Sequence, residues 1–468
     1  MTRKITRRDF LKFGAAGAAT AVLAGCQAPR RWVVLEPYVR PPEEQLSGIA
    51  TWYASTCRQC PAGCGITARI MNGRALKLEG NPEHPLNRGK LCARGQAGLQ
   101  ALYAPDRLTG PVQQAQRGTR QYEPIAWEKG INTLYSKLAA AGNRVAIWVD
   151  STVSGHLLDL FQRYTAAVGA PDPLVYDLYT GMNGYRVLSD SSQALFGQGA
   201  LPYYDLAHAD VVVSFGANFL GTGLSAVRYG VEFGDFRGQS LGKRGFMAQL
   251  DPRMSINGTM ADLWLPIRPG TQALIARALL RIIAENDLGP AERVKMAQEL
   301  AGDVDVGSVA AAADLPVETL EQLARTFATA DLPVAIPGDA LTGLENATGA
   351  VAAVQALNLL GGGAGYPRGL ALSPPPPAEA VVVPTPAPYA DVQTLIDRMR
   401  AGQVEVLLVH GANPAYDLPQ EAGFLDALAS VPAVVSFASL VDETAVWADI
   451  ILPDRANLEG WGLSLIHI

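Results

Sequence analysis

Long apolar runs, blocks of one charge and histidine are all scarce in this 468-residue chain. Beyond residues 13–24 no stretch is apolar enough to cross a bilayer, which takes about 20 residues, so no interior transmembrane helix is expected. Lys and Arg total 38 against 44 Asp and Glu, and no long basic run follows residue 31. That removes the electrostatic footprint of a nucleic-acid partner. No heptad or fixed-period repeat is present, which excludes a coiled coil or a solenoid. Charged residues make up only 18% and hydrophobic ones 49%, with 47 glycines, so the chain buries a sizeable core in two or more domains. The abundance of Ala, Val and Gly points to an α/β fold with apolar strands buried on both faces of parallel sheets. Cysteine is also sparse: there are five, and four of them fall in one spacing.

The N-terminus reads as an address. Thr6-Arg7-Arg8-Asp9-Phe10-Leu11-Lys12 precedes a small-residue apolar run from Phe13 to Ala24, the layout of a twin-arginine export signal; the competing reading is a basic N-terminal helix of a cytosolic protein. The run ends in Leu23-Ala24-Gly25-Cys26, which resembles a lipobox, with Cys26 as the acylated residue. An ordinary cleavage site beside an incidental thiol is the alternative. Residues 1–26 are therefore expected to be a lipoprotein-type signal and 27–49, rich in Pro and Arg, a tether. The expected destination is the periplasm or the outer face of the cytoplasmic membrane, with a lipid anchor. The twin-arginine route carries folded proteins, so a cofactor inserted in the cytoplasm crosses inside the chain.

The remaining cysteines, Cys57, Cys60, Cys64 and Cys92, form C-x2-C-x3-C and then, after 27 intervening residues, a lone fourth. Three thiolates within eight residues wrap one face of a compact inorganic core and a remote fourth closes the cage, the way four-cysteine iron-sulfur clusters are held. Zinc and disulfides compete for the same residues. Structural zinc sites usually pair two C-x2-C knuckles, and the even count in an oxidising compartment favours disulfides, whereas export of a preassembled cluster would protect the thiols. Between the third and fourth Cys, two alternating stretches flank Asn72-Gly73, the signature of a hairpin with a type I′ turn. Such a hairpin returns Cys92 towards the triplet.

Residues 57–111, including Gly80-Asn81-Pro82, His84-Pro85, Leu91-Cys92-Ala93-Arg94-Gly95 and Tyr103-Ala104-Pro105-Asp106-Arg107-Leu108, resemble the cluster domain of the molybdopterin oxidoreductases, the superfamily of dimethyl sulfoxide reductase and formate dehydrogenase. The resemblance implies a 4Fe-4S cluster at the four cysteines, exchanging electrons with a molybdenum or tungsten centre held by bis-molybdopterin guanine dinucleotide. Arg94 stands where that family has a Lys or Arg between cluster and pterin. His84 is given no role, and His156, His208 and His410 stand in no ligand spacing.

The rest of the chain carries an internal duplication. Ala209–Phe215 is a buried-strand run ending in Gly216-Ala217-Asn218; Val404–His410 is a second, ending in Gly411-Ala412-Asn413. Each is followed at a distance by A-D-x-x-L-P, at 261–266 and 448–453. Two doubly wound α/β units are expected, residues 113–330 and 331–462, after a small β-rich cluster domain at 50–112. A glycine past a strand followed by a helix N-terminus suits a phosphate, so each unit is expected to cradle one dinucleotide; a tight turn alone would explain either copy. Gly216, Asn218, Gly411 and Asn413 are the candidates, and the resemblance adds Asp251, Arg253, Gly270 and Thr271.

Two departures from the family stand out. The loop that supplies its metal ligand falls near Met182-Asn183-Gly184-Tyr185, none of which is Cys, selenocysteine, Ser or Asp; Thr180 and Asp190 are the nearest replacements. Gln272 stands where the family often has an Asp that accepts hydrogen bonds from guanine, and Gln has no paired acceptors. Two functions therefore remain open: a catalytic molybdenum oxidoreductase subunit acting on a small redox substrate, or a non-catalytic iron-sulfur scaffold of a quinol-oxidising assembly resembling alternative complex III, its pterin site empty. Either implies a ferredoxin-like iron-sulfur subunit and a quinone-binding membrane anchor as partners, and no nucleic acid. The last hexapeptide, 463–468, is one that a common sequencing adapter encodes, so it is expected to be a non-native tail replacing a C-terminal β domain that caps the pterin.

Overall fold

The computed structural model describes residues 48–182, 184–238, 244–361, 369–374 and 383–460. The export signal with Cys26, the tether up to residue 47, Asn183 and the tail at 463–468 lie outside the described residues. The chain divides into two compact units, residues 1–52 with 69–76, and residues 53–68 with 77–468. In the first, Asn72 and Gly73 have φ of 51° and 74°, the paired positive values of the expected type I′ turn, and Asn72 Oδ1 accepts the Gly48 N–H at 2.9 Å. The strands β1 (Thr51–Thr56), β2 (Gly65–Met71) and β3 (Arg74–Gly80) form a three-stranded sheet.

The second unit is built on two larger sheets. Its strands are β4 (Val112–Gln113), β5 (Glu123–Pro124), β6 (Val145–Val149), β7 (Leu174–Val175), β8 (Pro202–Tyr204), β9 (Val211–Phe215), β10 (Phe246–Leu250), β11 (Leu263–Leu265), β12 (Pro333–Pro337), β13 (Leu370–Leu372), β14 (Val406–His410), β15 (Ala433–Ser436) and β16 (Ile450–Ile451). One sheet is wholly parallel, in the order β11-β10-β9-β12. The other runs β5-β4-β16-β15-β14-β6-β7, parallel from β16 to β7 and antiparallel at β4 and β5. The central strands β9 (VVVSF) and β6 (VAIWV) are buried at every position, as strands covered on both faces must be.

The duplication is a structural repeat: β9, β10, β11 and β12 occupy the places that β14, β15, β16 and β6 occupy in the other sheet. The paired A-D-x-x-L-P motifs do the same work in both. Asp262 Oδ2 accepts the Met247 N–H of β10 at 2.9 Å and Asp449 Oδ2 accepts the Val434 N–H of β15 at 2.8 Å. Each carboxylate also meets an arginine, Arg237 at 2.5 Å and Arg117 at 2.6 Å. Each of these aspartates ties its strand to the neighbouring one.

The expected division at 330/331 does not follow the sheets. β12 lies beyond it yet pairs with β9, whereas β4 to β7 lie before it yet share a sheet with β14 to β16. The second α/β unit is therefore discontinuous in sequence, with the first inserted between its halves. Trp148 of β6 shows the join: fully buried, it donates Nε1–H to the Tyr176 carbonyl at 2.8 Å and meets the Phe424 ring edge-on at 5.5 Å. Trp148→Ala is expected to lower unfolding stability by about 3–5 kcal/mol, while Leu160→Ala, at a position 52% exposed, changes it by less than about 0.5 kcal/mol. Denaturant unfolding followed by intrinsic fluorescence checks this, and equal effects of the two substitutions would refute the discontinuous core.

Candidate functional site

The four cysteines converge. The Cys57 N–H donates to the Cys64 carbonyl at 2.8 Å, closing the ligand loop, and Asn87 clamps the next residue, accepting the Gly65 N–H and donating to the Gly65 carbonyl, each at 2.9 Å. His84, to which the sequence assigns no role, is buried against Gly65, where a Cβ would strike its ring at 2.3 Å. Cys92 caps the short helix Ala93–Gln96, its Sγ accepting the Gly95 N–H at 3.5 Å. Burial pushes the Cys64 thiol up to about 12, and the neighbouring Cys57, Cys60 and Cys92 sulfurs add to the rise. Cys57 is raised by the same causes, opposed by a backbone hydrogen bond from Gln59 and by Arg94. All four are free thiols, and the sulfurs lie close enough to feel one another. Among the described residues no group of three or more His, Cys, Asp or Glu side chains is gathered to hold a single ion. Four cysteine donors in this spacing suit an iron-sulfur core.

Arg94 lies beside the cysteines, its guanidinium 5.4 Å from the centroid of the Tyr179 ring and its Nη1 3.4 Å from the Gln59 carbonyl. Tyr179 in turn donates its hydroxyl to the Gly223 carbonyl at 3.1 Å and stands edge-on to Tyr185 at 6.3 Å. The Cys60 sulfur raises the pKa of both tyrosines, after burial. Sequence reading missed this aromatic pair because its partners are remote along the chain. The loop expected to present a metal ligand is occupied otherwise. Thr180 is buried, its N–H on Asp177 Oδ1 at 2.8 Å; Asp190 accepts from Arg186 at 2.9 Å; and Tyr185 is buried with its hydroxyl towards the Leu224 carbonyl at 3.4 Å.

In each large sheet the strand order reverses once, and ligands of open α/β sheets bind in the crevice at that point. In the first sheet it lies between β9 and β12, at Gly216 (φ +81°) and Gly338. A Cβ on Gly338 would strike the Gly216 backbone at 2.3 Å. Around this crevice stand buried polar atoms without partners: Asn218 Oδ1, Ser225 Oγ, Gln249 Oε1, Asn257 Nδ2 and both amide atoms of Gln272. Asp251 follows β10 and accepts the Arg253 N–H at 3.1 Å; Gly270 (φ +82°) and Thr271 lead into the helix Gln272–Glu285. The cluster side approaches the same loop, since Cys92 and Lys90 line a cavity of about 530 Å³ whose other wall includes Leu220, Gly221 and Ala226.

In the second sheet the reversal lies between β14 and β6, at Gly411 (φ +71°) and Asp150. There a Cβ on Gly411 would meet the Asp150 carboxylate at 2.7 Å. Asn413 is fully engaged, Nδ2 donating to Glu443 at 2.7 Å and Oδ1 accepting from the Thr444 N–H at 3.1 Å and hydroxyl at 2.7 Å. His410 pairs with Asp454 at 2.7 Å and His208 with Asp205 at 2.9 Å, so both histidines are tied to carboxylates. Burial pushes the Asp417 carboxyl up to about 6, with Asp177 and Asp442 adding and backbone donors at Leu178 and Asn413 opposing.

Comparison with known proteins agrees with this anatomy. Residues 50–104 match the molybdopterin oxidoreductase Fe4S4 domain and 107–465 the molybdopterin oxidoreductase family, while 4–24 match the twin-arginine translocation pathway signal sequence. The chain belongs to the molybdopterin oxidoreductases, with their 4Fe-4S cluster domain, their molybdopterin domain and an export signal. It is 29% identical to the molybdopterin-binding-like subunit of menaquinone reductase from Nitratidesulfovibrio vulgaris, over 97% of this chain and 66% of that one. It is 24% identical to the molybdopterin-containing subunit of thiosulfate reductase from Salmonella typhimurium, over 97% and 64%. Acetylene hydratase from Pelobacter acetylenicus superposes with a TM-score of 0.69 at 17% identity, over 86% of this chain and 62% of that one. The chain thus spans less than two thirds of these relatives' length. No helix among the described residues is long and apolar enough to cross a membrane.

Two outcomes are expected. A cation beside a cluster favours its reduced state, so Arg94→Gln shifts the midpoint potential negative, and Tyr179→Leu, which removes the ring under Arg94, shifts it in the same direction by less. Potentiometric titration monitored by electron paramagnetic resonance reads both; a positive shift would contradict the placement of Arg94. Asp417 has a folded-state pKa above its unfolded value, so the stability it contributes is present at pH 4 and lost as pH rises through about 6. The melting temperature of Asp417→Asn relative to the parent is expected to rise between pH 4 and pH 7.5, and a difference independent of pH would refute this.

Proposed function

We propose that this chain is the exported, molybdopterin-binding subunit of a respiratory complex, with the cluster at Cys57, Cys60, Cys64 and Cys92 relaying electrons to or from a pterin-held molybdenum or tungsten site at the C-terminal edge of the first parallel sheet. The observation that carries the reading is the shared wall: Cys92 and Gly221 line one cavity, while Arg94, Tyr179 and the Gly223 carbonyl form a continuous chain of contacts from the cysteines to the loop after Asn218. The pterin and its metal, when bound, supply the redox chemistry, and the protein supplies position and electrostatics. Gly216 and Gly338 leave the backbone open to a close approach, Asn218 and Gln272 offer unspent polar atoms, and Arg253 brings a cation to a diphosphate. The cluster ligands deliver electrons to the same place. Cys26, lipid-modified after export, anchors the chain at the outer face of the cytoplasmic membrane. A ferredoxin-like iron-sulfur subunit and a quinone-binding membrane anchor complete the path.

A second reading is favoured by one observation: the hydroxyls of Thr180 and Tyr185 and the carboxylate of Asp190 all bond within the protein, so none of these three side chains is free to ligate molybdenum. On that reading the chain is a non-catalytic electron-transfer subunit of a quinol-oxidising assembly. Elemental analysis of the anaerobically purified complex separates the two. Molybdenum or tungsten at about one atom per chain supports the catalytic subunit, and iron without either metal overturns it in favour of the scaffold.

A further inference from the structure

The two large sheets repeat each other over four strands, yet their switch points differ in chemistry. At the first, glycine faces glycine: Gly216 after β9 lies against Gly338 after β12. At the second, glycine faces a carboxylate, because the residue after β6 is Asp150 and it abuts Gly411. Asp150 is half-buried, and its desolvation raises its carboxyl, with Thr152 donating to it and with Asp177 and His410 facing it. Asp417, Asp442 and Glu443 stand near the same edge, and His410 is balanced by Asp454. A diphosphate brought there would meet carboxylates at close range and no unpaired cation among these groups, in a setting where like charges repel strongly.

The homologous asparagines have the same asymmetry. Asn413 spends both amide atoms on Glu443 and Thr444, and the helix that follows, Pro414–Asp417, is a single turn. Asn218 keeps Oδ1 without a partner. It is followed by the helix Ala226–Phe236, which starts at Ser225, whose hydroxyl is also unpartnered and which makes no side-chain cap. Gln272 is 1% exposed with neither amide atom bonded, and it begins the helix Gln272–Glu285 beside Gly216. A buried amide left unbonded is destabilising, a cost that a ligand presenting one donor and one acceptor removes. Carboxylates occur here too, at Asp251 and Asp339, but Arg253 faces Asp339 and offsets it.

From these differences we infer that the chain holds one pterin dinucleotide, at the first switch point, and that the second unit keeps the fold of a nucleotide site without its function. The inference rests on the reading that a pterin dinucleotide binds at all. The test is the nucleotide content of the anaerobically purified complex, released by acid hydrolysis, quantified by chromatography as nucleoside monophosphate and expressed per chain. One nucleotide per chain is expected. Two would overturn the inference while leaving pterin binding intact, and none would overturn both. Paired substitutions give an independent readout: Asn218→Ser is expected to cut nucleotide content at least tenfold at unchanged iron content, and Asn413→Ser to leave it at the parent level. Loss of nucleotide from Asn413→Ser with iron retained would equally refute the assignment.

Discussion

Four sulfur ligands gathered from two segments of chain are the constraint on which the rest of this molecule depends. Ionised together without a counter-charge they would repel, and protonated they would leave weakly bonding thiols packed beside one another. Burial first, and then the neighbouring sulfurs, push the Cys64 thiol up to about 12. A core carrying positive charge resolves it, because the coordinating thiol is then deprotonated outright. The surrounding structure is arranged for that outcome: Asn87 fixes the backbone after Cys64, the Gly95 N–H points at Cys92, and Arg94 sits alongside with its side chain laid over Tyr179.

The larger fold positions what the cluster must reach. Parallel strands such as β9 and β14 deliver their C-terminal ends, with Gly216 and Gly411, to the one edge of each sheet where chain direction permits a crevice. Duplication supplied two such edges, and side chains then distinguished them. The Asp262 and Asp449 locks were kept in both halves because each secures a strand, whereas the polar groups around the turns diverged. Conserving a scaffold while altering one of its two ligand edges is expected where fold and site answer to different demands.

Much of this could be read in the chain itself. The spacing from Cys57 to Cys92, the Asn72-Gly73 turn and the paired G-A-N endings are local patterns, and local patterns survive in sequence. The order of strands in a sheet is not local: nothing within residues 112–175 signals that they join β14 rather than β9, which is why the expected boundary at 330 cuts through the first sheet. Side-chain partnership was equally hidden. Asn218 and Asn413 both close a Gly-Ala-Asn turn, and only the folded chain reveals that Thr444 and Glu443 have consumed one of them. Tyr179 carries no motif, and its place under Arg94 depends on a contact between residues 85 positions apart in the chain.

The central claim is that Cys57, Cys60, Cys64 and Cys92 enclose iron and inorganic sulfide, and acid-labile sulfide measured beside iron on anaerobically purified protein tests it most directly. About four of each per chain are predicted. Zinc in place of iron, or no labile sulfide with the four thiols titrating freely, would contradict it.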